Sequence, residues 1–158
     1  MTLIIVEGES DRAAVEILGA RLGLALPEVR SVGGSKGARR AVASLPGVRL
    51  IGLVDRPERR DFERFLDAVY VCDPDLEGEF VRALGVAAVL SLIDDEGERV
   101  SFRRLQHQPA QRARTLEQQL SRFFGGRSGN KLRYARLMAD ALPLERIPPP
   151  IDALFKAV

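Results

Sequence analysis

Apolar residues in this chain fall into short unbroken runs near the amino terminus and helical stripes further along. Leu3-Ile4-Ile5-Val6 passes directly into Glu7-Gly8-Glu9-Ser10-Asp11. An apolar run rich in Ile and Val predicts a strand covered on both faces. Gly8 permits a sharp turn, and Ser10 is placed to cap a helix from Asp11 to Leu22, with Ala14, Ile17 and Leu18 on one stripe and Gly23 at its end. Val29 to Val32 predicts a short strand, then Gly33-Gly34-Ser35-Lys36-Gly37 and a helix from Ala38 to Leu45. Arg49 to Asp55 repeats the opening design, and Arg59 to Leu66 can follow as a short helix. Ala68 to Cys72 repeats it again, followed by Asp73-Pro74-Asp75 and a helix from Glu77 to Leu84 that Gly85 ends.

Beyond Gly85 the pattern changes. Val86 to Ile93 fits either a further strand or a buried helix, since periodicity does not separate the two. Pro109 opens a stretch in which Ala113, Leu116, Leu120 and Phe123 or Phe124 make one stripe, ending at Gly125-Gly126. Asn130 is placed to cap a helix through Leu142, and Pro148-Pro149-Pro150 leads to a closing helix, Ile151 to Ala157. Strands alternating with helices predict an α/β fold, a Rossmann-like parallel sheet flanked by helices with a C-terminal helical extension. Residues 1–97 form the expected core, and 98–158 a basic helical part of the same domain.

Charge sharpens that division. Met1 to Glu98 holds 12 basic and 18 acidic residues, a balance of −6; Arg99 to Arg146 holds 11 basic and 3 acidic, a balance of +8. One part is suited to cations and the other to a polyanion. The lone Cys72 excludes an internal disulfide and a cysteine zinc cluster, and its place at the end of an apolar strand reads as a packed thiol. The lone His107 argues against histidine-ligated metal and a serine–histidine triad. The longest apolar run is too short to cross a bilayer, and no basic leader precedes an apolar segment, so a cytoplasmic protein without membrane contact is expected.

The candidate chemistry lies at the strand ends. Three strands end in acid: Glu7 then Asp11, Asp55, and Asp73, Asp75 and Glu77. A single acid there often caps a helix or balances its dipole, the plain account of Glu9 and Asp11 and of one of Asp73 and Asp75. Parallel strands, however, set all three ends side by side, at the crevice where open α/β sheets bind ligands. Lys131 opens a helix, where a cation works against the dipole. The glycine-rich loop at 33–37 can cradle a phosphate or simply turn the chain, and it lacks both dinucleotide and Walker spacing.

These residues resemble a Toprim domain, the metal-binding α/β module of topoisomerases, bacterial primases and several nucleases. The chain is most similar to the Toprim part of the overcoming-lysogenization-defect (OLD) family nucleases. The resemblance rests on Val6-Glu7-Gly8 with Asp11, on Asp55, on Asp75-Leu76-Glu77 followed by Glu79 to Gly85, and on Lys131 within Gly129 to Ala135. It implies that Glu7, Asp11 and Asp55 hold one magnesium or manganese ion and that Asp75 and Glu77 help hold a second. It also makes Glu7 and Lys131 catalytic, with Lys131 stabilising charge at the scissile phosphate. Asp73 and Glu58 are further candidate ligands. The family's acid two residues after Asp55 is replaced by Pro57, and Glu58 beside it is expected to point differently.

The implied activity is two-metal cleavage of nucleic acid, with DNA as the expected substrate. Arg103, Arg104, Arg112, Arg114, Arg122, Arg127 and Arg133 are the expected backbone contacts, unless they form only a solvated helical face. No Walker sequence is present, so the family's ATPase would be a separate subunit or absent; a homo-oligomer is compatible. Two other functions stay open. One is a decayed site in a nucleic-acid-binding or regulatory subunit; the other is a receiver-like domain with Asp55 as phosphoacceptor and Lys131 as its partner.

Overall fold

The computed structural model describes residues 1–127 and 129–158. Its centre is a four-stranded parallel sheet of β1 (Thr2–Val6), β2 (Val29–Ser31), β3 (Arg49–Asp55) and β4 (Ala68–Cys72), in the order β2-β1-β3-β4. Residue alternation divides the apolar side chains between two layers. Ile4, Val6, Ile51 and Leu53 face one layer; Leu3, Ile5, Leu50 and Val54 face the other. Helices α2 (Ser35–Ser44) and α3 (Arg59–Glu63) cover the second face through Ala38, Ala41 and Phe62. The first face is buried under α1 (Glu9–Arg21), α4 (Leu76–Leu84) and the carboxyl-terminal helices.

Those helices are α5 (Val86–Asp95), α6 (Arg99–His107), α7 (Leu116–Gly125), α8 (Asn130–Ala141) and α9 (Pro149–Lys156). Thus Val86 to Ile93 is a helix, with Val89 and Ile93 fully buried. Phe102, Phe123, Phe124 and Tyr134 form an aromatic cluster joining α6, α7 and α8, with Phe102 and Phe123 edge-to-face at 5.4 Å. Helix α8 lies along α1, whose Arg21 donates to the carbonyls of Ala139 and Leu142 at 2.7 Å each. Its other end, carrying Lys131, is thereby fixed near the carboxyl edge of the sheet. Among the described residues, no helix is long and apolar enough to cross a membrane.

Two local expectations change. Ser10 does not cap α1: it lies inside the helix, Gly8 is the cap residue, and the Asp11 carboxylate accepts the Gly8 N–H at 3.0 Å. Likewise Gly129 precedes α8 at φ +81°, and Asn130 is its first residue. The glycine-rich loop is a strand-to-helix turn. Gly33 and Gly34 have φ of +69° and +108°, and the Gly33 N–H donates to the Glu7 carbonyl at 2.8 Å. A Cβ on Gly37 would come within 1.7 Å of the Val32 carbonyl oxygen, so the turn closes too tightly for any side chain.

Candidate functional site

Parallel pairing sets the carboxyl ends of the strands along one edge. Val6 is opposite Ser31 and Leu53, and Asp55 is opposite Cys72, so Glu7, Asp55 and the β4–α4 turn open on the same side. This edge is the switch point between β1 and β3, where successive connections leave in opposite directions and a crevice opens.

Asp11, 6 % exposed, is held by the Gly8 amide. Asp55 Oδ1 accepts the Leu76 N–H at 3.0 Å and so ties the end of β3 to the start of α4. Asp75 caps α4, its Oδ1 accepting the Gly78 N–H at 2.7 Å. Glu77 is 4 % exposed, and its Oε1, 3.8 Å from Lys131 Nζ, has no hydrogen-bond partner. Leaving such an oxygen unsatisfied inside a protein is costly.

The acids also act on one another. Asp55 is pushed up to about 8, first by burial and then by Asp11, Glu77 and Asp75. Burial likewise pushes Glu77 up to about 7, against the pull of Lys131. Asp11 rises through burial, opposed by the Gly8 amide and Lys131, and Glu7 rises through burial and the neighbouring Glu58. Burial would lower Lys131, but Glu77, Asp11, Asp55 and Glu7 together hold its ammonium above the ordinary lysine value. Glu7, Asp11, Asp55 and Glu77 thus all act on Lys131, and Asp75 acts on Asp11, Asp55 and Glu77.

The structure places the remaining candidates unequally. After burial, the negative charge of Glu58 is the largest influence raising Glu7. Glu58 closes the 3-10 turn Arg56–Glu58, which contains Pro57. Asp73 stays outside the cluster, exposed and paired with Arg56 at 3.0 Å. Among the arginines, Arg133 is engaged by Glu96 at 3.7 Å and by Glu98, Arg127 lies 3.7 Å from Glu98, and Arg112 Nε donates to the His107 carbonyl at 3.1 Å. Arg103, Arg104, Arg114 and Arg122 are exposed, without a carboxylate partner among the described residues.

A residue not anticipated is Glu79, 5 % exposed, which accepts the Asp73 N–H at 3.0 Å and pairs with Arg82 at 3.1 Å. It braces the turn that presents Asp75 and Glu77. Its place two residues after Glu77 was the available signal.

Hard carboxylate oxygens around an unsatisfied Glu77 oxygen suit magnesium or manganese. Among the described residues, no three acidic, histidine or cysteine side chains are gathered closely enough to enclose an ion as they stand. Asp11, Asp55 and Asp75 each hold one oxygen on a backbone amide.

No protein-family model and no curated protein matches the sequence. Among solved structures, the C-terminal region of the Xanthomonas campestris pv. campestris OLD protein superposes with a TM-score of 0.71 at 21% identity, over 98% of this chain and 92% of that one. The C-terminal region of the Burkholderia pseudomallei OLD protein gives 0.69 at 17% identity, over 98% and 95%. The fold is that of the C-terminal region of these OLD proteins. The likeness spans α5 to α9 as well as the sheet, so the carboxyl-terminal helices belong to the OLD-type fold.

Proposed function

We propose that this chain is a divalent-metal-dependent nuclease that hydrolyses phosphodiester bonds, with DNA as its substrate. The observation that carries the proposal is the buried, unpartnered Glu77 oxygen facing Lys131 within a set of carboxylates from four elements. Glu7, Asp11 and Asp55 would hold one ion and Asp75 and Glu77 a second, with Glu58 supplying the acid that Pro57 cannot. Such ions, when bound, neutralise charge on the transferring phosphoryl group and activate water. Lys131 has a protein-based role: its ammonium, kept charged by the surrounding acids, binds a non-bridging phosphate oxygen and stabilises the charge that develops there. Arg103, Arg104, Arg114 and Arg122 contact the sugar–phosphate backbone without reading bases.

Supercoiled plasmid incubated with the full chain and magnesium or manganese tests the activity. Wild type nicks or linearises it, and the triple variant Glu7→Gln, Asp55→Asn, Glu77→Gln does not. Equal cleavage by both proteins rules the site out.

A second reading is favoured by one observation: Asp11, Asp55 and Asp75 all have structural hydrogen-bonding roles, as a decayed site would retain. Calorimetric titration with manganese separates the two. Saturable binding lost in the triple variant supports the nuclease, and an absence of binding supports a nucleic-acid-binding relic. For a receiver-like role, Asp55 lies poorly placed, half-buried with one oxygen on the Leu76 amide.

A further inference from the structure

We infer that the cleft between α4 and α7 binds one unpaired nucleotide of a single strand. The cleft encloses about 780 Å³, within the range of about 300–1,000 Å³ usual for sites that take a small organic group. It begins at Asp75, whose Oδ2 receives the Ser121 hydroxyl at 3.4 Å, so its mouth adjoins the acidic cluster. In linking the cleft to the cleaved strand, the inference rests on the nuclease proposal; the cleft's own affinity does not.

Two kinds of surface line it. Val81 and Val86 are apolar, and Gly78 and Gly125 carry no side chain, so part of the lining is uncharged. Arg82, Arg114 and Arg122 stand around it. Arg82 is tied to Glu79 at 3.1 Å and to the Asp73 carbonyl at 2.7 Å, whereas Arg114 and Arg122 have no carboxylate partner among the described residues. Two acids, Asp75 and Glu117, share the wall, so the three arginines leave a surplus of one positive charge.

An apolar slot beside guanidinium groups matches one nucleotide with its flanking phosphates. The base packs on the apolar walls and against guanidinium planes, while the phosphates meet the cations. A duplex keeps its bases inside the stack, so its nucleotides do not enter such a slot without being extruded. The substrate class is thus a single strand, a flap or a frayed end.

Gly125 gives a clean test. It ends α7, and a Cβ built there meets nothing within 4 Å, so Gly125→Leu narrows the cleft without backbone strain. Fluorescence anisotropy with labelled oligo-dT, oligo-U and a blunt duplex of equal length, in chelator, measures binding apart from any cleavage. Wild type binds the single strands more tightly than the duplex. Gly125→Leu, and separately Arg114→Ala with Arg122→Ala, weaken single-strand binding about tenfold, and Gly125→Leu does so without lowering the melting temperature. Unchanged single-strand affinity in Gly125→Leu overturns the inference, as does preference for the duplex. The oligo-dT and oligo-U arms tell DNA from RNA as the source of the strand. If affinity follows the variants while neither plasmid nor a labelled single strand is cut in magnesium or manganese, the cleft stands and the nuclease proposal falls. If the triple variant abolishes cutting while Gly125→Leu binds normally, the reverse holds.

Discussion

At the scale of single residues, Lys131 and Glu77 define the site by their mutual dependence. The Glu77 oxygen is buried without a hydrogen bond, and the ammonium at 3.8 Å is the nearby charge that makes its ionised form tolerable. Replacing Lys131 by Met keeps most of the apolar stem and removes the charge. Under the proposed chemistry this lowers kcat by about 10²–10³-fold with a smaller change in KM, as steady-state cleavage of a labelled strand would show. A loss confined to KM would make Lys131 a binding residue only. The acids at the strand ends are legible in the chain because parallel pairing sets those ends side by side, and Lys131 is legible because a cation at the start of a helix works against its dipole. Glu58 and Asp73 are not, because their directions depend on the 3-10 turn after β3 and on the Arg56 pair. Counting charges also overstated the basic surface: Glu98, at the end of the acidic part, occupies Arg127 and Arg133.

At the scale of elements, β3 has the bounds that its apolar run implies, whereas the helices of the basic part do not follow their stripes so closely. The stripe opened by Pro109 becomes a helix only after Thr115, since Gln111 is buried and its carbonyl accepts the Gln119 side chain at 2.8 Å. The start of α7 had a signature, Thr115-Leu116-Glu117-Gln118. Thr115 Oγ1 accepts the Gln118 N–H at 3.2 Å, and Gln118 Oε1 accepts the Thr115 N–H at 3.0 Å. Thr115→Ala removes one half of this exchange and should cost about 1 kcal/mol, read as a lower denaturation midpoint at unchanged m-value. Helix α6 is hard to read from the chain because Phe102 is its one fully buried residue, with Leu105 only partly buried beside it, too short a stripe among arginines.

At the scale of the whole molecule, the acidic cluster exists only in the folded chain, because its members come from β1, α1, β3, α4 and α8. Its titration is therefore a measure of the fold. Asp55 and Glu77 are pushed up to about 8 and about 7, and Asp11 and Glu7 are also raised. In the unfolded chain the same carboxyls ionise near about pH 4. Between about pH 4 and pH 8 the folded state thus holds protons that the unfolded state has released, and stability falls as pH rises through that window. Below it both states are protonated and the penalty vanishes; above it the penalty is complete. Asp94, lowered by its hydrogen bond with Arg99, acts below that window, and Lys131, held above its ordinary value, acts beyond it. In chelator, the melting temperature should accordingly be higher at about pH 5.5 than at about pH 8. Magnesium or manganese should raise it more at the higher pH, because ions bind ionised carboxylates and stabilise the state that holds them. Asp55→Asn should flatten the slope in chelator and shrink the increment from metal. A flat profile for the wild-type chain in chelator would mean that these carboxylates do not share one buried environment, and the site would have no physical basis.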